Sequence, residues 1–246
     1  MKILRLSFLT FLIISLFSSS QLLAQLNEND SSFYHAAINN AKELYRQSEK
    51  SQTRLLNGRK YIPYRIAFIG GGTPFFQTDE FVDGSIVYED NFYDSVKLVY
   101  DQVDERVVFR SEFAIELIAE RVKQFSISGH YFTRLQNDSV NSIIKTGFYE
   151  KLYSGSIELY KKEMKKIKEN LSSTDGIMGE IELKTNYYIK RDGHFYLIKK
   201  NNSLFEALGG YKKEMQQFMK ANGLKLKRNK DYTLLKIASY FEQLTR

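Results

Sequence analysis

The chain contains no cysteine and no tryptophan, and only two prolines and three histidines in 246 residues. Without cysteine it can form no disulfide, offer no thiolate and carry no lipid through a Cys. The histidines, His35, His130 and His194, are isolated in sequence. None has a second His or a carboxylate at a metal-ligand spacing such as H-x-x-x-H. No G-x-S-x-G elbow occurs, and Ser154-Gly155-Ser156 reads as a turn rather than a nucleophile. Carboxylates are plentiful, but no pair stands out as acid and base. Gly70-Gly71-Gly72-Thr73-Pro74 shares only its glycines with a phosphate loop; no Lys-Ser/Thr pair follows, which leaves a structural loop. The residues therefore call for no metal, no cofactor and no catalytic constellation. The missing Trp argues against a sugar-stacking platform. The 17 Tyr and 18 Phe suit the half-buried pleated faces of a strand-rich fold.

Long apolar runs are scarce too. One, Leu6 to Phe17, follows Lys2 and Arg5 and leads into the small-residue stretch Ser18 to Ala24. That order of charge, apolar run and small residues belongs to an export signal, with cleavage expected before Gln25. The run is too short for a stable transmembrane helix. An uncleaved N-terminal anchor is the alternative. The expected address is the periplasm or the cell exterior, and export sets nucleic acid aside as a partner.

Charge is unevenly spread. The whole chain carries a formal +7. Residues 199–246 hold eleven Lys/Arg against four Asp/Glu, a net of +7. Loss of Lys2 and Arg5 with the leader brings the total to +5, so residues 25–198 carry −2. The basic character belongs to the tail.

The organising stretch is Gly84 to Arg110. Val96, Leu98 and Tyr100 alternate with Ser95, Lys97 and Asp101, the period of a strand with one buried face. Turns at Asp90-Asn91 and Asp104-Glu105 make a three-strand meander. Lys60 to Ile69 reads as a strand, at an edge or bulged because of Pro63. Phe75-Phe76 reads as a core plug. Residues 113–125 fit both strand and helix periods, and strand-like neighbours favour strands. Ser154-Gly155 and Asp192-Gly193 predict two more hairpins, between 148–153 and 157–160 and between 187–190 and 194–198. The charged run Lys161 to Lys168 reads as a solvated strand extension or helix face.

Helices are expected at the ends. Residues 31–47 carry a helical apolar stripe. Ser203-x-x-Glu206 predicts a capping box opening a helix that stops at Gly209-Gly210. Tyr211, Met215, Phe218 and Met219 predict a second helix stopped by Asn222-Gly223. Leu234, Ile237, Ala238, Phe241 and Leu244 predict a third. The expected fold is α+β: a mainly antiparallel meander and hairpin sheet, as a sandwich or partly closed barrel, with an N-terminal helix and a C-terminal helical segment. The expected layout is a signal peptide over 1–24, a helix and link over 25–54, a β domain over 55–200 and a basic helical tail over 201–246.

Four phrases carry a resemblance: GSIVYEDNFYDSVKLVYD, GFYEKLYSGSIELYKKEMKKI, YYIKRDGHFYLIKK and KKEMQQFMKANGLKLKRNKDYTLLKIASYFEQL. Together they resemble exported, strand-rich proteins of unassigned function common in Bacteroidota. The resemblance implies export, a strand-rich core and a helical tail. It implies no activity and no functional residue.

Function is thus expected to be binding. The first reading is a non-enzymatic interaction protein of the cell envelope, meeting an envelope protein or an anionic envelope surface. Its candidate surface is Lys212, Lys213, Lys220, Lys225, Lys227, Arg228 and Lys230. Two alternatives stay open: a small-ligand or lipid carrier with strand aromatics around a cavity, and a hydrolase with a dispersed site.

Overall fold

A computed structural model describes residues 38–40, 53–137, 142–170 and 178–246. Residues 38–40 are helical; the rest of the helix expected over 31–47, and the whole leader, lie outside the described residues. Main-chain contacts divide the chain into Met1–Thr53 and Arg54–Arg246. The second unit holds the sheet and the three tail helices together.

The strands are β1 (Arg59–Lys60), β2 (Ala67–Phe68), β3 (Val82–Tyr88), β4 (Asn91–Asp101), β5 (Arg106–Arg110) and β6 (Ala114–Glu116). They continue with β7 (Val122–Ile127), β8 (His130–Leu135), β9 (Gly147–Ser154), β10 (Glu158–Asn170), β11 (Met178–Arg191) and β12 (His194–Leu197). All join one sheet in the order β1-β6-β5-β4-β3-β7-β8-β9-β10-β11-β12, with β2 alongside β11. Among the described residues only the β2–β11 pairing is parallel. The ladder is open and does not close into a barrel.

The meander is present, with shifted turns. Tyr88 pairs with Asn91, and Glu89 and Asp90 take the positive φ values of 48° and 66°, one residue earlier than expected. Asp101 pairs with Arg106, so the second turn spans four residues rather than two. β4 also departs from strict alternation. A bulge opposite Ser85 places Ser95 at φ 53°, and beyond it Leu98, Val99 and Tyr100 are all buried. The second buried face arises because Tyr61, Val99 and Val108 cluster behind the sheet with Phe75 and Phe81. Sequence period alone does not show a face covered by a distant loop.

Between Arg59 and Phe68 the expected strand reduces to β1 and β2, two residues each, on either side of Pro63. Phe76 is buried and Phe75 packs behind it, as the core-plug reading requires. Residues 113–125 form β6, a short 3-10 turn at Ala119–Arg121 and the start of β7. Asp192-Gly193 is a two-residue turn with φ 50° and 77°, joining Arg191 to its partner His194. At Ser154-Gly155 the loop holds three residues, because Ser154 pairs with Glu158. The run Lys161–Lys168 is strand, and only part of it is solvated. Lys162 is buried, Lys161 and Lys165 are half-buried, and Lys166 and Lys168 are exposed.

The helices are α1 (Asn201–Leu208), α2 (Lys212–Ala221) and α3 (Lys230–Thr245). Ser203 lies inside α1 rather than at its cap; the cap residue is Lys200. The three helices cover one face of β9–β12. Leu204, Leu208, Met215, Leu234, Ile237 and Phe241 pack there against Ile157, Leu159 and Ile189. Met215 and Met219 are buried, with Tyr211 and Phe218 packed beside them. The other half of the sheet has an aromatic core. Phe125 stacks on Phe132 at 4.8 Å, and Tyr100, Phe148 and Phe76 meet them edge-on or tilted.

Candidate functional site

The tail lysines are brought together by two local devices. The first is at the end of α2. The Leu224 amide donates to Met219 O at 2.9 Å and the Gly223 amide to Lys220 O at 3.3 Å, with Gly223 at φ 63°. This pair of bonds is a Schellman motif, and it turns the chain sharply off the helix. Leu224 then packs inward, and the L-K-L-K alternation that follows buries Leu224 and Leu226 while exposing Lys225 and Lys227. The second device precedes α1. Ser203 Oγ accepts from the amides of Lys199 at 2.9 Å and Lys200 at 3.2 Å, which pins both lysines beside the first turn.

Between these two segments lies a cavity of about 590 Å³. Five lysines line it: Lys199, Lys200, Lys225, Lys227 and Lys230. Its apolar lining is Leu224 and Leu226, and Asn201 and Asn202 of the first α1 turn complete it. Among the described residues, no carboxylate lines it. Asp231, next in the chain to Lys230, is held elsewhere: Lys161 Nζ lies 3.3 Å away, and the Tyr187 hydroxyl donates to its carboxylate. Lys230 differs from the other four. It is half-buried, donates to Ile198 O at 2.7 Å and lies over the Tyr187 ring at 4.7 Å. Burial pushes its ammonium down, and Asp231 opposes that shift. An adjoining cavity of about 290 Å³ shares Asn201, Leu224 and Lys225, and adds Phe205, Met219 and Lys220.

Of the seven basic residues expected to form an anionic-partner surface, Lys225, Lys227 and Lys230 line the larger cavity and Lys220 the smaller. Lys212, Lys213 and Arg228 are exposed and lie outside both linings. Sequence reasoning missed Lys199 and Lys200. Both fell inside the basic stretch 199–246, but neither was placed on the candidate surface. The legible signal was a Lys-Lys pair three residues before Ser203, where an accepting side chain draws their amides together.

A second cluster surrounds His130. Its Nδ1 lies 2.5 Å from Glu150 Oε1, and its Nε2 lies 2.9 Å from Gln77 Nε2. The contacts assign a proton to Nδ1 and leave Nε2 to accept from the amide. Both ring nitrogens are thus engaged, and Phe76 packs edge-on against the ring at 4.9 Å. Glu150 Oε2 continues to Lys161 at 3.5 Å, and Lys161 to Glu163 at 2.9 Å. On the other side of β10, Lys162 donates to Phe148 O at 2.8 Å and pairs with Glu105. Burial pushes its ammonium down to about 7. These groups neutralise one another across strands, which is how charge is held in a sheet interior. His194 is exposed, and its Nδ1 is bonded to Asp192 O within the turn. His35 lies outside the described residues.

Among the described residues no group of His, Cys, Asp or Glu could hold a metal ion, and no helix is long and apolar enough to cross a membrane. The chain matches no family model, no curated protein and no solved structure, so the reading of its site rests on the geometry above.

Proposed function

We propose that this is an exported, non-catalytic binding protein that engages an anionic surface of the cell envelope through the basic face between α1 and the α2–α3 link. One observation carries the reading: five lysines line one cavity, and among the described residues no carboxylate lines it. A cluster of like charges attracts anions through its summed field. Each basic residue near such a surface adds about 1 kcal/mol. Placement in the periplasm or outside the cell follows from the leader sequence.

The carrier alternative asks for a cavity among strand aromatics. Phe125, Phe132, Tyr100 and Phe148 instead pack on one another at 4.8 to 5.9 Å. The hydrolase alternative has its best candidate in His130, whose two ring nitrogens are both taken up by neighbours.

Co-sedimentation with phosphatidylglycerol vesicles tests the reading, with phosphatidylcholine vesicles as the neutral control. The wild type should pellet with the anionic vesicles and release as salt rises. The triple variant K225E/K227E/R228E should stay soluble and folded without pelleting, since exposed charges contribute little to stability. Absence of wild-type binding at low salt, or undiminished binding by the variant, refutes it. Retention of an acidic protein instead of vesicles would replace the surface by a protein partner.

A further inference from the structure

We infer that the larger cavity holds a single phosphomonoester amphiphile. Its phosphate sits among Lys199, Lys200, Lys225, Lys227 and Lys230, and its apolar portion runs over Leu224 and Leu226 toward Phe205 and Met219. The inference rests on the binding reading above and narrows it from a charged surface to a defined ligand.

Charge density is the first argument. A phosphodiester or a carboxylate brings one negative charge, whereas a phosphomonoester brings about −1.5 to −2 at neutral pH. Four exposed lysines and the half-buried Lys230 on one lining suit the more highly charged anion best. The lining cations are all lysine, with Arg228 left outside. Lysine binds phosphate as a compact point charge, whereas arginine grips carboxylate and phosphate alike through a bidentate fork.

Helix ends add to the same field. Lys200 caps α1 and Lys230 opens α3, so two positive helix ends carry lysine on the cavity. Cations at a helix N-terminus oppose the macrodipole, and an anion between them favours both helices. Asn201 and Asn202 of the first α1 turn line the cavity, and amides at a helix start are donors of the kind an anion uses.

Size and lining supply the apolar half. About 590 Å³ falls within the roughly 300–1,000 Å³ typical of pockets for drug-sized ligands. A bare phosphate would leave most of it empty. Leu224 and Leu226 line it beside the lysines, and the adjoining cavity continues past Leu224 to Phe205 and Met219. A charged end beside an apolar run is the shape of an amphiphile.

Calorimetric titration of the purified chain with three soluble probes tests this: dihexanoyl phosphatidic acid, dihexanoyl phosphatidylglycerol and inorganic phosphate. Phosphatidic acid should bind about tenfold or more tightly than either of the others. K199E/K200E should lose that preference, and K212E/K213E, with the same change in net charge outside the cavity, should keep it. Acidic residues at the start of α1 suit its dipole, so the first variant should retain the wild-type melting temperature. Equal binding of the two lipids overturns the inference and leaves the anionic-surface reading standing. Inorganic phosphate binding as tightly as phosphatidic acid overturns the amphiphile. Equal losses in both double variants show that net charge, not the cavity, recognises the ligand. Binding of none of the probes, with no sedimentation on anionic vesicles, overturns both readings.

Discussion

Lys161 Nζ lies 3.3 Å from Asp231 Oδ2 and so ties β10 to the first turn of α3. The same ammonium reaches Glu163 at 2.9 Å and Glu150 at 3.5 Å. One lysine therefore serves three carboxylates, and its side chain is 13% exposed. Burial alone would lower this ammonium. The carboxylates of Glu163, Glu150 and Asp231 outweigh burial and raise it well above the usual lysine range.

Removing that lysine should be costly. Lys161→Met leaves three carboxylates facing one another with no cation between them, and should destabilise the protein by about 2 kcal/mol in urea denaturation. The pH dependence has a fixed sign. A raised folded-state value means the contribution is fully present below the ordinary lysine value of 10.5 and is lost as pH rises through the higher folded value. The gap in stability between wild type and variant should stay level through neutral pH and shrink only in strong alkali. A gap that closes near neutrality would show that the carboxylates do not depend on Lys161.

Tyr100 offers the opposite case. Its ring is at the centre of the aromatic core, 5.1 Å from Phe125 and 5.9 Å from Phe148. Its hydroxyl is buried without a hydrogen-bond partner among the described residues. Tyr100→Phe keeps the ring and removes the unpaired polar atom, so stability should hold or rise by about 1 kcal/mol. A clear fall in melting temperature would reveal a bond that the hydroxyl makes in solution.

Gly193 and Gly210 form a matched pair. A Cβ at either would meet no atom within 4 Å, but only Gly193 has a positive φ, at 77°. Gly193→Ala should cost about 1 kcal/mol through backbone strain alone. Gly210→Ala should cost nothing measurable. Equal effects in thermal unfolding would remove the left-handed turn from the account.

The Gly193 hairpin was legible because its cause is local: two residues, Asp and Gly, both accept positive φ. The stops at Gly209 and Asn222-Gly223 were legible for the same reason. What the sequence hides are contacts made across the sheet. The Lys165 amide donates to Gln102 O at 3.2 Å, although β10 lies five strands from β4 along the ladder. Lys165 Nζ also reaches Thr73 O at 3.0 Å. A lysine-rich run therefore lies against a glycine loop ninety residues away, and no period in either stretch announces it. The cavity was half legible. Its Lys225 and Lys227 stood out as a basic run, whereas Lys199 and Lys200 lie some twenty-five residues earlier, and only the folded chain brings the two segments to one cavity.

Lys227 and Lys230 line the same cavity but should respond differently to truncation. Lys227 is exposed, and Lys227→Ala should move stability by less than about 0.5 kcal/mol. Lys230 holds α3 to the sheet through Ile198 O at 2.7 Å and through the Tyr187 ring at 4.7 Å. Losing a charged hydrogen bond and a cation–π contact together should cost about 2 kcal/mol in Lys230→Ala. Lys230→Met keeps most of the aliphatic stem over the ring and should recover part of that loss. Both alanine variants should weaken binding to anionic vesicles, but only Lys230→Ala should also lower the melting temperature without ligand. If Lys227→Ala destabilises as much as Lys230→Ala, the α2–α3 link is part of the packed core and its lysines are not free to meet an anion.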